Sequence, residues 1–220
     1  MLKDAIGNAR IHKVKHYFEA YDFHFASLKD WPINILEIGI ASGGSLRMWK
    51  NYFINGIVYG LDCNSDCRIY KANRINIIIG HQEDTDFLEK MTNIHFDIIV
   101  DDGGHTMKQQ IASFNALFPA LNDGGIYVIE DLCTSFWPSW GGGLGEETGL
   151  GFLKSKVNTI NMWAARHEEA GLSVTDDLPS IFEKMISSIH FYNAIAFIYK
   201  KGHAFCPEQG KDVFNRRDFE

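Results

Sequence analysis

Short apolar runs, each closed by a glycine or an acidic residue, alternate with helix-like stretches along this chain, and no other feature limits its fold so strongly. "INILEI" (Ile33 to Ile38) stops at Gly39 and precedes a helical pattern from Ser45 to Phe53. "IVYGL" (Ile57 to Leu61) stops at Asp62, and "INIII" (Ile75 to Ile79) leads to a helix that contains Phe87 to Met91. "FDIIV" (Phe96 to Val100) leads to a helix over Lys108 to Phe118, and "IYVI" (Ile126 to Ile129) follows Asp123-Gly124-Gly125. Runs of this length and composition read as strands buried on both faces, so the chain is expected to be α/β, a mostly parallel sheet with helices on both sides. After a helix over Asn158 to Glu169, "SIHFY" (Ser188 to Tyr192) and "AIAFIY" (Ala194 to Tyr199) are separated only by Asn193. Strands that close pair as a hairpin, adding an antiparallel strand at the C-terminal end.

The 220 residues are 45% hydrophobic, enough for one substantial core and one domain. Within it we expect a helical N-terminal segment over about residues 1–30, a core over about 33–143, and a C-terminal helix and hairpin over about 145–201. A net charge of -7 and a pI near 5.7, with Lys and Arg scattered, argue against nucleic acid or an anionic membrane as partner. No apolar run is long enough to span a bilayer or act as a signal sequence. Four cysteines, Cys63, Cys67, Cys133 and Cys206, suit a reducing compartment, so a cytoplasmic protein is expected. Cys63 and Cys67 lack the second pair that a zinc site needs.

Ligands of open parallel sheets bind beyond the carboxyl ends of the strands. The first such end is "EIGIASGGS", Glu37 to Ser45, where Gly39 and Gly43 admit close backbone approach and the helix start offers free N–H groups. Ile40 and Ala41 stand where a dinucleotide fingerprint needs its second glycine, which disfavours NAD. Asp62, at the end of the second strand, is placed to accept hydrogen bonds from both hydroxyls of a ribose. Together these point to an adenosine-containing cofactor. "GHQEDTDFL" after the third strand brings His81, Gln82, Glu83 and Asp84 near an adenine edge, although a helix cap explains part of it. "IVDDGGHTMKQQ" after the fourth strand and "IEDL" after the fifth supply Asp101, Asp102, Glu130 and Asp131. Carboxylates so crowded raise one another's pKa or recruit a divalent cation, and oxygen donors suit Mg²⁺ or Mn²⁺. "WPSWGGGLGEETGLG", Trp137 to Gly151, reads as a mobile glycine-rich cover with two indoles for a wall.

Taken together, "LEIGIASGGSLRMW", "VYGLD", "GHQEDTDFL", "FDIIVDDGGHTMKQQIASFNALFPALNDGGIYVIEDL" and "TSFWPSWGGG" resemble the class I S-adenosylmethionine-dependent methyltransferases. More narrowly, they resemble the metal-dependent sugar O-methyltransferases of macrolide pathways, the mycinamicin and tylosin type. The resemblance implies a Rossmann-like, seven-stranded sheet and S-adenosylmethionine with Mg²⁺ as cofactors. It implies Asp102, Glu130 and Asp131 as metal ligands and His105 as general base. Cofactor contacts are expected from Glu37, Gly39, Ser42, Gly43, Ser45, Asp62, Gln82 and Asp101. Cys133 departs from the polar residue found there in relatives, and the chain holds little more than a catalytic core; both bear on the acceptor and the oligomeric form. The expected reaction methylates a sugar hydroxyl of a glycosylated natural product or polysaccharide, a small-molecule or glycan acceptor, in a protein that could be a homo-oligomer. A catechol-type enzyme acting on a phenol shares the same metal logic. An NAD-dependent nucleotide-sugar oxidoreductase is the more distant alternative.

Overall fold

The computed structural model describes residues 1–7, 9–168 and 180–201, which leaves His203 and Cys206 outside the described residues. Seven strands form one sheet: β1 (Asn34–Ile38), β2 (Ile57–Asp62), β3 (Ile75–Ile79), β4 (Phe96–Asp101), β5 (Leu121–Ile129), β6 (Ile186–Tyr192) and β7 (Ile195–Lys200). Their order is β3-β2-β1-β4-β5-β7-β6, parallel except for β7, which runs antiparallel to both β5 and β6. The expected α/β architecture and its antiparallel hairpin are therefore present. Six α-helices accompany the sheet in the described residues: α1 (Tyr17–Phe25), α2 (Gly44–Tyr52), α3 (Thr85–Met91), α4 (Met107–Leu117), α5 (Gly149–Glu168) and α6 (Ile181–Met185).

Continuous apolar strands require cover on both faces, and two buried clusters supply it. On one face Tyr17, Tyr21 and Phe25 of α1 meet Trp49 and Phe53. The other face is covered by Leu88, Met91, Phe114, Leu117 and Phe118. Trp49 and Phe114 are fully buried, so truncating either to Ala would cost about 3–5 kcal/mol.

Two boundaries differ from the sequence expectation by more than two residues. β5 begins at Leu121 rather than Ile126, because Leu121 pairs with Phe96 across a register shift that carries the Asp-Gly-Gly stretch inside the strand. Helix α5 begins at Gly149, well before Asn158, within what reads as loop. Thr148 starts it, its hydroxyl accepting from Gly151 N at 3.0 Å, and this local cap outweighs the poor helix propensity of the glycines.

Register sets the functional end of the sheet. Ile38 of β1 pairs with Asp101 of β4, which pairs with Ile129 of β5, so the three strands end on one level. Gly39, Asp102 and Glu130 are thus the first residues past a common edge, beside the point where strand order reverses around β1. Gly39 has φ +90° and lies so close to the Asp102 carbonyl that a Cβ there would collide with it. Among the described residues no helix is long and apolar enough to cross a membrane.

Candidate active site

A cavity of about 390 Å³ opens above β1, β2 and β4. Of the expected cofactor contacts, Gly39, Ser42, Ser45, Asp62 and Gln82 line it. Asp62 braces the glycine turn: its Oδ2 accepts from Ile40 N at 2.9 Å and its Oδ1 from Asn64 N at 2.8 Å. Oδ2 also accepts from Ala41 N at 3.3 Å, so the lone pair left for a ligand hydroxyl is on Oδ1. Gln82 spans the wall, donating to Asp101 Oδ1 at 2.9 Å and accepting from Gly104 N at 2.7 Å. Its amide thereby fixes the loop after β4.

Three of the expected contacts stand behind the wall and not on it. Glu37 is fully buried and accepts from the Ser45 hydroxyl. Gly43 is the left-handed N-cap of α2 and faces the Tyr70 ring. Asp101 is fully buried, held by Ser113 and Gln82, and burial pushes its carboxyl up to about 6 against those hydrogen bonds.

At the cavity's rim, ligand atoms of Asp102, His105 and Asp131 all lie within 4.8 Å of one another. His105 Nε2 stands 3.7 Å from Asp102 Oδ1 and 3.5 Å from Asp131 Oδ2. His105 and Asp131 are both held at positive φ, +56° and +55°, a conformation that non-glycine residues adopt at some cost and that is often found at functional sites. The Thr134 hydroxyl lies 2.9 Å from the carbonyl oxygens of both and donates to either, which braces the two residues together. Past His105 the chain enters α4 through a capping box, Thr106 N donating to Gln109 Oε1 and Gln109 N to Thr106 Oγ1, both at 3.3 Å. Trp140 stands beside His105 with ring centroids 6.0 Å apart, which brings the Trp137 to Gly151 segment to this rim.

Glu130 sits deeper, 1% exposed, and does not share that outer cluster. Its Oε1 accepts from Lys13 Nζ and Tyr21 Oη. Burial, and secondarily the neighbouring Asp102, push its carboxyl above the usual carboxylate range against the pull of Lys13. Lys13 also stands 2.8 Å from Asp102 Oδ2 and 3.1 Å from Glu37 Oε1. The latter contact is a charge contact outside hydrogen-bond geometry, since Glu37 Oε1 has no hydrogen-bond partner. The three carboxylates overcome the desolvation of Lys13 and hold its ammonium well above the usual lysine range. Tyr17 Oη donates to Asp131 Oδ1 at 2.9 Å. Sequence reasoning left Lys13, Tyr17 and Tyr21 without a role; in "IHKVKHYFEAY" no spacing or periodicity marks them out.

The oxygen donors suit a small divalent cation: the part-exposed carboxylates of Asp102 and Asp131 stand close together, with Glu130 next in line, and His105 Nε2 lies within reach of both. His105 Nδ1 is buried without a partner, so Nε2 is the nitrogen turned to the cluster.

No family model matches the chain. Individual relatives do. Mycinamicin VI 2''-O-methyltransferase of Micromonospora griseorubida is 36% identical over 219 residues, covering 93% of this chain and 52% of its own length. Demethylmacrocin O-methyltransferase of Streptomyces fradiae is 37% identical over 219 residues, covering 93% and 53%. The chain spans about half the length of the curated relatives it matches. Among solved structures, the MycE methyltransferase from the mycinamycin biosynthetic pathway, in complex with Mg, SAH and mycinamycin VI, superposes with a TM-score of 0.81 at 32% identity, covering 93% of this chain and 53% of that one. A structure from Staphylococcus aureus whose assignment as a caffeoyl-CoA O-methyltransferase is itself by inference, 17% identical with a TM-score of 0.54, shares the fold alone. With its seven-stranded sheet and these relatives, the chain is a homologue of the sugar O-methyltransferases of glycosylated macrolides and polyketides, built on the class I S-adenosylmethionine-dependent methyltransferase fold.

Proposed function

We propose that the protein is an S-adenosylmethionine-dependent, Mg²⁺-dependent O-methyltransferase whose acceptor is a sugar hydroxyl on a small glycosylated natural product. The observation that carries this reading is the adjacency of two features: a cavity floored by the Gly39 turn and Asp62, and the Asp102–His105–Asp131 cluster at its rim. A protein that only bound the cofactor would not need the second. The relatives named for 2''-O-methylation of mycinamicin VI and O-methylation of demethylmacrocin support a sugar hydroxyl on a glycosylated natural product as acceptor. The phenolic alternative draws support only from shared fold.

In this reading the cofactor supplies a methyl group already activated on a sulfonium, and a divalent cation supplies charge that orients the acceptor hydroxyl and eases its ionisation. The chain provides positioning and one proton transfer. Asp62 holds the ribose, and the Gly39 turn lets main chain approach the methionine end. Asp102 and Asp131 would hold the cation, with Glu130 next to them. His105 takes the hydroxyl proton at Nε2, and the two carboxylates beside the ring offset the positive charge it gains. Trp140, against His105, walls the acceptor from water. The cysteines among the described residues are free, which supports a cytoplasmic setting.

The test is thermal unfolding with S-adenosylmethionine, S-adenosylhomocysteine or NAD, each with Mg²⁺ or EDTA, followed by methyl transfer to mycinamycin VI, demethylmacrocin and a catechol. A ligand at 100 times its Kd adds about 2.7 kcal/mol. Stabilisation by the two sulfur compounds and Mg²⁺-dependent transfer to a sugar is the expected result. Transfer to the catechol alone would overturn the acceptor assignment, and stabilisation by NAD alone would overturn the whole reading.

A further inference from the structure

Residues 9–16 adopt no regular element, yet Arg10, Ile11, His12 and Lys13 form one wall of the cavity. The segment is seated at two points. Its main chain rests on the first turn of α2, where a Cβ on Gly44 would run into the Arg10 carbonyl, and Ser42 Oγ reaches that same oxygen at 3.5 Å. At the other point Lys13 passes inward, its side chain 1% exposed, to reach Glu37, Asp102 and Glu130. Its ammonium also stands 5.8 Å from the Trp49 ring and 6.0 Å from the Tyr21 ring. A charge buried so deeply persists only when it is paired, and the carboxylates need the cation equally.

We propose that Lys13 is the latch of a strap: by seating its ammonium among Glu37, Asp102 and Glu130 it holds residues 9–16 across the cavity, so that S-adenosylmethionine is bound beneath the strap and retained by it. This rests on the reading of the cavity as the cofactor pocket. Lys13 is bound to three carboxylates and acts through the strap it seats, which makes it a positioning residue. Its three partners come from the ends of β1, β4 and β5, so one side chain ties the strap to all three strands that frame the pocket.

Two variants test this, because Lys13→Met leaves three carboxylates crowded together and risks failing to fold. The double variant Lys13→Met/Glu130→Gln removes one charge of each sign and keeps an acceptor for Tyr21. Amide exchange is measured without ligand, with β4 amides (Phe96–Asp101) as the internal reference, and S-adenosylhomocysteine affinity is measured calorimetrically in EDTA. Exchange at residues 9–16 is expected to rise at least tenfold with β4 unchanged, and Kd to rise at least tenfold. A folded variant that keeps the wild-type value of either quantity overturns the proposal, since the strap would then be held, or the cofactor retained, without the latch. A wild type that does not bind S-adenosylhomocysteine overturns the cofactor reading and the strap's role in retention with it, while exchange at 9–16 still separates that failure from a failure of the latch.

Discussion

His105 Nε2 faces Asp131 Oδ2 at 3.5 Å, and both residues hold positive φ although neither is glycine. The loop after β4 and the turn after β5 are thus each bent to aim one side chain at the other. If His105 is the base, His105→Ala lowers turnover by about 10²–10⁴ while leaving S-adenosylhomocysteine affinity intact. Steady-state rates with calorimetry on the same preparation check this, and wild-type turnover would remove His105 from the chemistry.

Asp102 stands in the outer cluster and beside Lys13 at once. Asp102→Asn is expected to abolish stabilisation by Mg²⁺ and lower turnover by more than about 10²-fold, with stabilisation by S-adenosylhomocysteine retained. Thermal unfolding with each ligand separately reads both arms. A Mg²⁺ shift equal to wild type would exclude Asp102 as a ligand.

Thr134 braces both bent residues through one hydroxyl. Thr134→Val preserves shape and removes the donor, so turnover should fall about 10-fold or more with little change in global stability. An unchanged rate would show that His105 and Asp131 keep their conformations without it.

Gly39 combines φ +90° with contact against the Asp102 carbonyl, and a methyl group satisfies neither constraint. Gly39→Ala should destabilise the protein by about 2 kcal/mol or more and weaken S-adenosylhomocysteine binding. Chemical denaturation is the check; a wild-type midpoint would mean that the turn relaxes freely.

His24 is buried, stacked on Phe197 at 4.0 Å, with its nitrogens 2.7 Å from Tyr199 Oη and 3.0 Å from Tyr192 Oη. Burial, with His190 nearby, holds it down at about 4, against an ordinary 6.5. The unfolded chain therefore takes this proton first, so the contribution of His24 is complete above about pH 6.5 and is lost as pH falls toward 4. Wild type should lose its stability advantage over His24→Phe between pH 7 and pH 4.5. Parallel stability curves for the two proteins would contradict this.

Much of the fold was written in local pattern. β-branched runs closed by Gly39, Asp62 and Asp101 placed β1, β2 and β4 to within a residue or so at either end. β5 and α5 were misjudged at their starts because a pairing partner and a cap, not propensity, decide where each begins.

What the sequence by itself determined is the set of groups at the strand ends. Parallel pairing levels the ends of β1, β4 and β5, so residues that follow an apolar run by one or two places must share the crevice, as Gly39, Asp102, Glu130 and Asp131 do. Only the tertiary structure decided what faces them. Lys13 meets Glu130 from 117 positions away, and Tyr17 meets Asp131 from 114. A lysine in a polar segment is ordinarily solvated, and nothing in its neighbours distinguishes one about to be buried. Its partners exist only once the sheet has brought three strand ends together, which makes its role a property of the folded chain and not of any stretch within it.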